Sequence, residues 1–141
     1  MKTSRLNRID VVAGLICRDG RLLACQRREN GAFPLKWEFP GGKLEKAESY
    51  SEALGRELKE ELGIELREFS QVYQNEHVYP DGLSVCLRFY RISKYEGEIV
   101  NFVFQRIRWV QPSELAGLDF LDGDRPLVAE LVESGGIGFL W

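Results

Sequence analysis

At 141 residues, 44% hydrophobic and 29% charged, the chain has the size and composition of one globular domain, expected to span residues 1–141, with a real core but no room for two. A formal net charge of -3 leaves no global basic field to draw in long nucleic acid, while small phosphorylated molecules stay open through local charge. Cys17, Cys25 and Cys86 lack CXXC spacing, and His77 is the single histidine, so neither a disulfide framework nor a His/Cys zinc constellation is expected. The opening MKTSRLNRID has no apolar core of a signal peptide, and no segment is long enough to cross a bilayer. These features together predict a cytoplasmic protein with reduced thiols.

In chain order, Ile9–Cys17 and Arg21–Gln26 are apolar runs rich in strand formers, joined at Asp19-Gly20 as a hairpin. Arg27 and Arg28 end the second strand as edge charges, and Glu29–Lys36 is rich in turn residues. The segment WEFPGG, Trp37–Gly42, leads to a predicted helix. Ser49 is placed to cap it, with Glu52 reaching back to complete a capping box, and Gly63 supplies the stop. Residues four apart share a row. Tyr50, Leu54, Leu58 and Leu62 form an apolar row, Ala53, Glu57 and Glu61 the adjoining one, and Glu52, Arg56 and Glu60 the next.

Beyond Gly63, Ile64–Phe69, Gln71–Tyr79 and Leu83–Ser93 are predicted as extended segments, the last two joined at Pro80-Asp81-Gly82. His77 is most simply a strand-face polar residue. Glu96-Gly97-Glu98 turns the chain into an extended run, Val100–Val110, and Pro112–Leu115 is a helical turn. After a loop to Asp124, a second helix runs through Val132, with Asp124 suited to its N-cap and Pro126 to its first turn. The tail GGIGFLW is apolar enough to dock on the core or on a second chain, so both monomer and homodimer are open. Pattern alone gives an α+β domain.

The acids of the first helix carry the chemistry. A solubilising face would keep Glu57 and Glu61 away from the apolar stripe, whereas the row geometry sets them against it. Three like charges at i, i+3 and i+4 repel. Hard divalent cations take oxygen ligands, and magnesium in particular uses a few carboxylates completed by water and substrate phosphate. Glu57, Glu60 and Glu61 fit that need, with a carbonyl of the preceding glycine turn as a further ligand. The competing reading is a solvated helix laced by Arg56 to Glu52 and Glu60.

The stretch Gly42 to Ile64 resembles the signature of the Nudix hydrolases, GX5EX7REUXEEXGU with U aliphatic, and each specified position is filled: Gly42, Glu48, Arg56, Glu57, Leu58, Glu60, Glu61, Gly63 and Ile64. WEFPGGK is similar to MutT-like members in particular. The resemblance implies an α/β/α sandwich around a mixed β-sheet and magnesium (manganese as a possible substitute) held by Gly41, Glu57, Glu60 and Glu61. It also implies hydrolysis of a nucleoside triphosphate, normal or oxidised as in 8-oxo-dGTP, to the monophosphate and pyrophosphate. Arg56 would orient a carboxylate, and Glu48 would be structural or an outer ligand. For substrate, it implies one of Arg27 and Arg28, preferably Arg28, on phosphate, Phe39 and Tyr79 beside the base, and Asp124 as the base contact. An aspartate at that last point departs from the asparagine of enzymes selective for 8-oxoguanine and resembles relatives acting on cytidine nucleotides.

One departure stands out: MutT-like enzymes place a glutamate about six residues before the last-strand tryptophan, here Trp109, and this chain has Val103, with Glu98 the nearest upstream acid. Two other functions are weighed against nucleotide hydrolysis. One is removal of pyrophosphate from RNA 5′ ends, disfavoured by the acidic balance, or cleavage of another nucleoside-diphosphate-linked substrate. A non-catalytic nucleotide-binding module would have lost acids of the signature, and all are present.

Overall fold

The computed structural model describes residues 8–141. Strands β1 (Arg8–Arg18) and β2 (Arg21–Gln26) form the expected hairpin. Asp19 and Gly20 both take positive φ, 52° and 75°, as a two-residue turn matched to strand twist requires. Short β3 (Trp37–Glu38) and β4 (Gly41–Lys43) follow, then helix α1 (Tyr50–Leu62). Long β5 (Glu65–Val78) and β6 (Ser84–Glu96) make the second hairpin, and β7 (Arg106–Val110) and helix α2 (Arg125–Ser134) complete the chain.

The sheet runs β3-β2-β1-β6-β5, with β4 also paired to β1 and β7 to β2. The β1–β6 pair is parallel and the others are antiparallel, so the sheet is mixed as expected. Side-chain alternation in β1 and β2 builds two layers. Val12, Ile16, Leu23 and Cys25 pack with Leu54, Leu58 and Leu62 of α1, while Ala13, Leu15, Leu22 and Ala24 pack with Leu127 and Leu131 of α2. A Cβ at Gly14 would come within 2.9 Å of Leu58 Cδ1, so that glycine lets α1 lie close to β1.

The ends of α1 behave as the sequence predicts. Ser49 and Glu52 make the reciprocal capping box, and Gly63 closes the helix in the left-handed region at φ 74°. Three other expectations change. Ile64–Phe69 and Gln71–Tyr79 merge into the single strand β5, which absorbs its irregularities as register shifts between Leu66 and Tyr73. The extended run expected from Val100 shrinks to β7, because Asn101 closes a local loop. Its Oδ1 accepts from Phe104 N–H at 2.8 Å and its Nδ2 donates to the Phe104 carbonyl at 3.0 Å, which competes with sheet pairing. Asp124 precedes α2 but makes no side-chain cap hydrogen bond; its carboxyl is buried in the interior instead. Cys17, Cys25 and Cys86 are free thiols, and among the described residues no helix is long and apolar enough to cross a membrane.

Candidate active site

A cavity of about 610 Å³ opens between α1, the turn Phe39–Glu45, the tip of the β5–β6 hairpin and the segment before α2. One end is apolar and aromatic, with Phe39, Leu87, Leu121 and Asp124, and the other is acidic, with Glu57 and Glu61 beside Gly41 and Gly42. The loop before α2 reaches the cavity because it is stitched to β3: Trp37 N–H donates to the Asp119 carbonyl and Leu121 N–H to the Trp37 carbonyl, both at 2.9 Å.

The glycine turn is shaped around the acids. A Cβ on Gly42 would lie 2.2 Å from Glu57 Oε2, and one on Gly41 only 1.9 Å from the Val12 carbonyl oxygen. Any side chain there would displace the helix carboxylate or the strand. Gly41 N–H donates to Glu61 Oε1 at 3.0 Å, which fixes that carboxylate toward the turn.

Arg56 is the organiser of the outer rim. Its Nε and Nη2 donate to the two oxygens of Glu48 at 2.6 and 2.9 Å, Nη2 also reaches the Lys43 carbonyl at 3.0 Å, and Nη1 faces Glu57 at 3.2 Å. This paired contact pulls the Glu48 carboxyl down to about 2. Arg56 thus ties the signature loop to the helix and steers Glu57.

The four acids near the glycine turn do not converge equally. Glu57 is 16% exposed and faces the cavity, whereas Glu60 is 60% exposed and rests on Arg56 at 3.4 Å. Of the expected trio Glu57, Glu60 and Glu61, Glu60 therefore lies on the flank, in the row it shares with Arg56, while the other two face the cavity. Among the described residues no three His, Cys, Asp or Glu side chains form a ready-made metal cage. Glu38, from β3, is a further acid on the cavity wall beside Glu57 and Glu61, held by Arg27 Nη1 at 3.1 and 3.2 Å. Burial, then the charges of Glu57 and Glu38, push Glu61 up to about 9. Burial first also raises Glu57 and Glu38, with Arg56 and Arg27 respectively working against it.

The expected substrate residues divide. Phe39 lies 3% exposed, tilted against Phe120 at 5.1 Å between centroids, and lines the cavity together with Tyr79 and Asp124. Arg27, and not Arg28, is on the wall of this cavity. Arg28 turns to the adjoining surface, where its Nε donates to the Val103 carbonyl at 2.7 Å. Val103 itself points no acid inward, and Glu98 is exposed and off the cavity wall. Asp124 is 3% exposed, and burial, followed by the charge of Glu38, raises its carboxyl well above the usual range. Phe33, in a loop that sequence reads only as turn-rich, joins the wall and meets Tyr79 at 6.1 Å. No sequence signal marks it beyond an aromatic in a loop.

The family profile described as NUDIX domain matches residues 7–131. The chain belongs to the Nudix family. It is a MutT-like Nudix hydrolase, and its relatives share most of its length. It is 36% identical over 122 residues to the CTP pyrophosphohydrolase of Escherichia coli K12, an alignment covering 85% of this chain and 88% of that one. With the 8-oxo-dGTP diphosphatase of the same organism it shares 32% over 127 residues, covering 89% and 98%. The solution structure of the E. coli ORF135 protein superposes with a TM-score of 0.79 at 33% identity, covering 90% of both chains. In Nudix terms the signature helix is α1, and the cavity lies where that signature meets the sheet.

Proposed function

We infer that this Nudix pyrophosphohydrolase cleaves a nucleoside triphosphate to the monophosphate and pyrophosphate in the presence of magnesium, in the cytoplasm, with manganese as a substitute. The observation that carries the reading is that one cavity of about 610 Å³ is lined both by the aromatic rings of Phe33, Phe39 and Tyr79 and by the carboxylates of Glu57 and Glu61. Two carboxylates suffice for magnesium, which completes its shell with water and substrate phosphate. Glu57 and Glu61 fit that donor set, with the Gly41 carbonyl beside them and Glu60 in an outer role. When bound, the ion supplies charge neutralisation to the polyphosphate and makes water more acidic.

The rest falls to the chain's own side chains. Gly41 N–H and Arg56 hold Glu61 and Glu57 in fixed positions before substrate arrives, so that little reorganisation is left for the reaction. Arg27, shared with Glu38, faces the substrate's phosphate or sugar oxygens, and Phe39, Tyr79 and Phe33 enclose the base. Asp124, whose charged form burial disfavours, offers the base a hydroxyl donor and an acceptor oxygen when protonated. That pair fits N3 and the amino group of cytosine, and the CTP pyrophosphohydrolase among the relatives supports cytidine nucleotides as the substrate.

The test is a magnesium-dependent screen in which both products are identified, over CTP, UTP, ATP, GTP, 8-oxo-dGTP and a 5′-triphosphorylated oligonucleotide. Monophosphate and pyrophosphate from free triphosphates, with CTP preferred, are expected. Turnover confined to the oligonucleotide would move the function to RNA ends, and no turnover of any substrate would reduce the protein to a binding module.

A further inference from the structure

The acidic end of the cavity does not close at Glu57. Lys43, Leu44 and Glu45 form part of its wall and also part of an adjoining cleft of about 430 Å³, completed by Arg8, Ile9, Asp10 and Lys46. The acids of this cleft are already engaged. Asp10 accepts from Arg8 Nη2 at 3.1 Å and from the Tyr50 hydroxyl at 3.2 Å. Glu45 faces Arg56 at 3.6 Å. Lys43 and Lys46 have no ion-pair partner among the described residues. Arg8 commits Nε and Nη2 to Asp10, which orients the guanidinium. The cleft therefore carries surplus positive charge on a chain whose net charge is -3.

Geometry gives this charge a use. With a base among Phe39, Leu121 and Asp124 and the reacting phosphorus beside Glu57 and Glu61, the remaining phosphates of a linear substrate extend past the acids toward Lys43. The other outlet, beyond Glu38 and Glu61, is a smaller cleft of about 260 Å³ in which Arg27 and Arg28 are balanced by the acids Glu38 and Glu61, with no surplus positive charge. Arg27 is bonded to Glu38 and to the Ala32 carbonyl, and Arg28 to the Val103 carbonyl. We propose that Arg8, Lys43 and Lys46 form a subsite for the terminal phosphates of the substrate, by which the protein favours nucleoside triphosphates over nucleotides with shorter tails. This rests on the function inferred above, since it assigns the tail of the same substrate.

Calorimetry in magnesium tests it, using the α,β-methylene analogue of the best triphosphate from the screen, the corresponding monophosphate, and inorganic triphosphate as a tail without a base. The proteins are the unaltered chain, K46A and the double variant R8A/K46A; both side chains are at the surface. In the double variant the triphosphate analogue and inorganic triphosphate should bind at least tenfold more weakly, with a smaller dependence on salt, while monophosphate affinity stays within twofold. K46A should fall between. Unchanged triphosphate affinity, or an equal loss for the monophosphate, would overturn the subsite. If the unaltered protein bound inorganic triphosphate but neither nucleotide, the nucleotide reading would fail and the tail site would survive.

Discussion

Replacing Glu61 by glutamine separates what this residue costs the fold from what it gives the reaction. In the metal-free protein Glu61 keeps its proton up to about pH 9, against an ordinary value of 4.5. Between those values the unfolded chain binds fewer protons than the folded one, so stability falls as pH rises across the window and is fully retained only below 4.5. Each unit corresponds to about 1.4 kcal/mol. At pH 7 the ceiling is roughly 3.4 kcal/mol, and water entering the open cavity lowers this to about 2–3 kcal/mol. Glutamine keeps the acceptor for Gly41 N–H and carries no charge. In EDTA, E61Q should therefore melt higher than the unaltered protein by roughly 6–9 °C at pH 7, at about 3 °C per kcal/mol for a chain of this size. The gap should shrink toward pH 5, and magnesium should raise the melting temperature of the unaltered protein while leaving E61Q nearly unmoved. Thermal melts at pH 5, 7 and 9, with and without magnesium, measure all of this. An E61Q variant that melts at or below the unaltered protein at pH 7, with the same slope against pH, would refute the buried-charge reasoning.

Other perturbations reach other parts of the site. G42A places a methyl group into the space of the Glu57 carboxylate and should cut kcat on the order of 10²-fold while circular dichroism stays native; full activity would show that Glu57 is free to move without consequence. E48Q removes the partner that holds Arg56. Because the Glu48 carboxyl sits at about 2, its contribution is present above pH 4.5 and lost as pH falls through 2, so acid unfolding of E48Q should start from lower stability and show a shallower slope over that window. L58A, at a fully buried position between α1 and β1, should cost about 2–5 kcal/mol in urea denaturation. A loss below about 1 kcal/mol would mean that α1 is not anchored by its apolar row.

The residues that sequence read best are those whose positions follow from local rules. The caps of α1, the Asp19-Gly20 turn and the split of the helix into an apolar row and an acid row depend on neighbours within four residues. The row argument also separated Glu60 from Glu57 and Glu61, and the structure keeps that separation. What sequence missed depends on contacts far along the chain. Asp124 is read both as an N-cap and, by resemblance, as a base contact, and only the stitching of Trp37 to Asp119 and Leu121 decides between them, turning its carboxyl inward, beside Phe39. The choice between Arg27 and Arg28 follows from alternation at a strand end, one facing Glu38 and the other facing Val103, and adjacency alone does not decide it. The loop at Asn101 broke an apolar run that reads as strand, because one side chain bonds locally to Phe104. Phe33 and the basic cleft at Arg8 and Lys46 join segments with no shared motif.

The most direct measurement of the central claim is release of pyrophosphate from a nucleoside triphosphate by the unaltered protein and by E57Q, titrated with magnesium. Turnover should require the metal in the unaltered protein and fall by about 10²–10³-fold or more in E57Q, whose melting temperature stays at or above that of the parent. Equal metal-dependent turnover by the two proteins would contradict a carboxylate pair built to grip the ion.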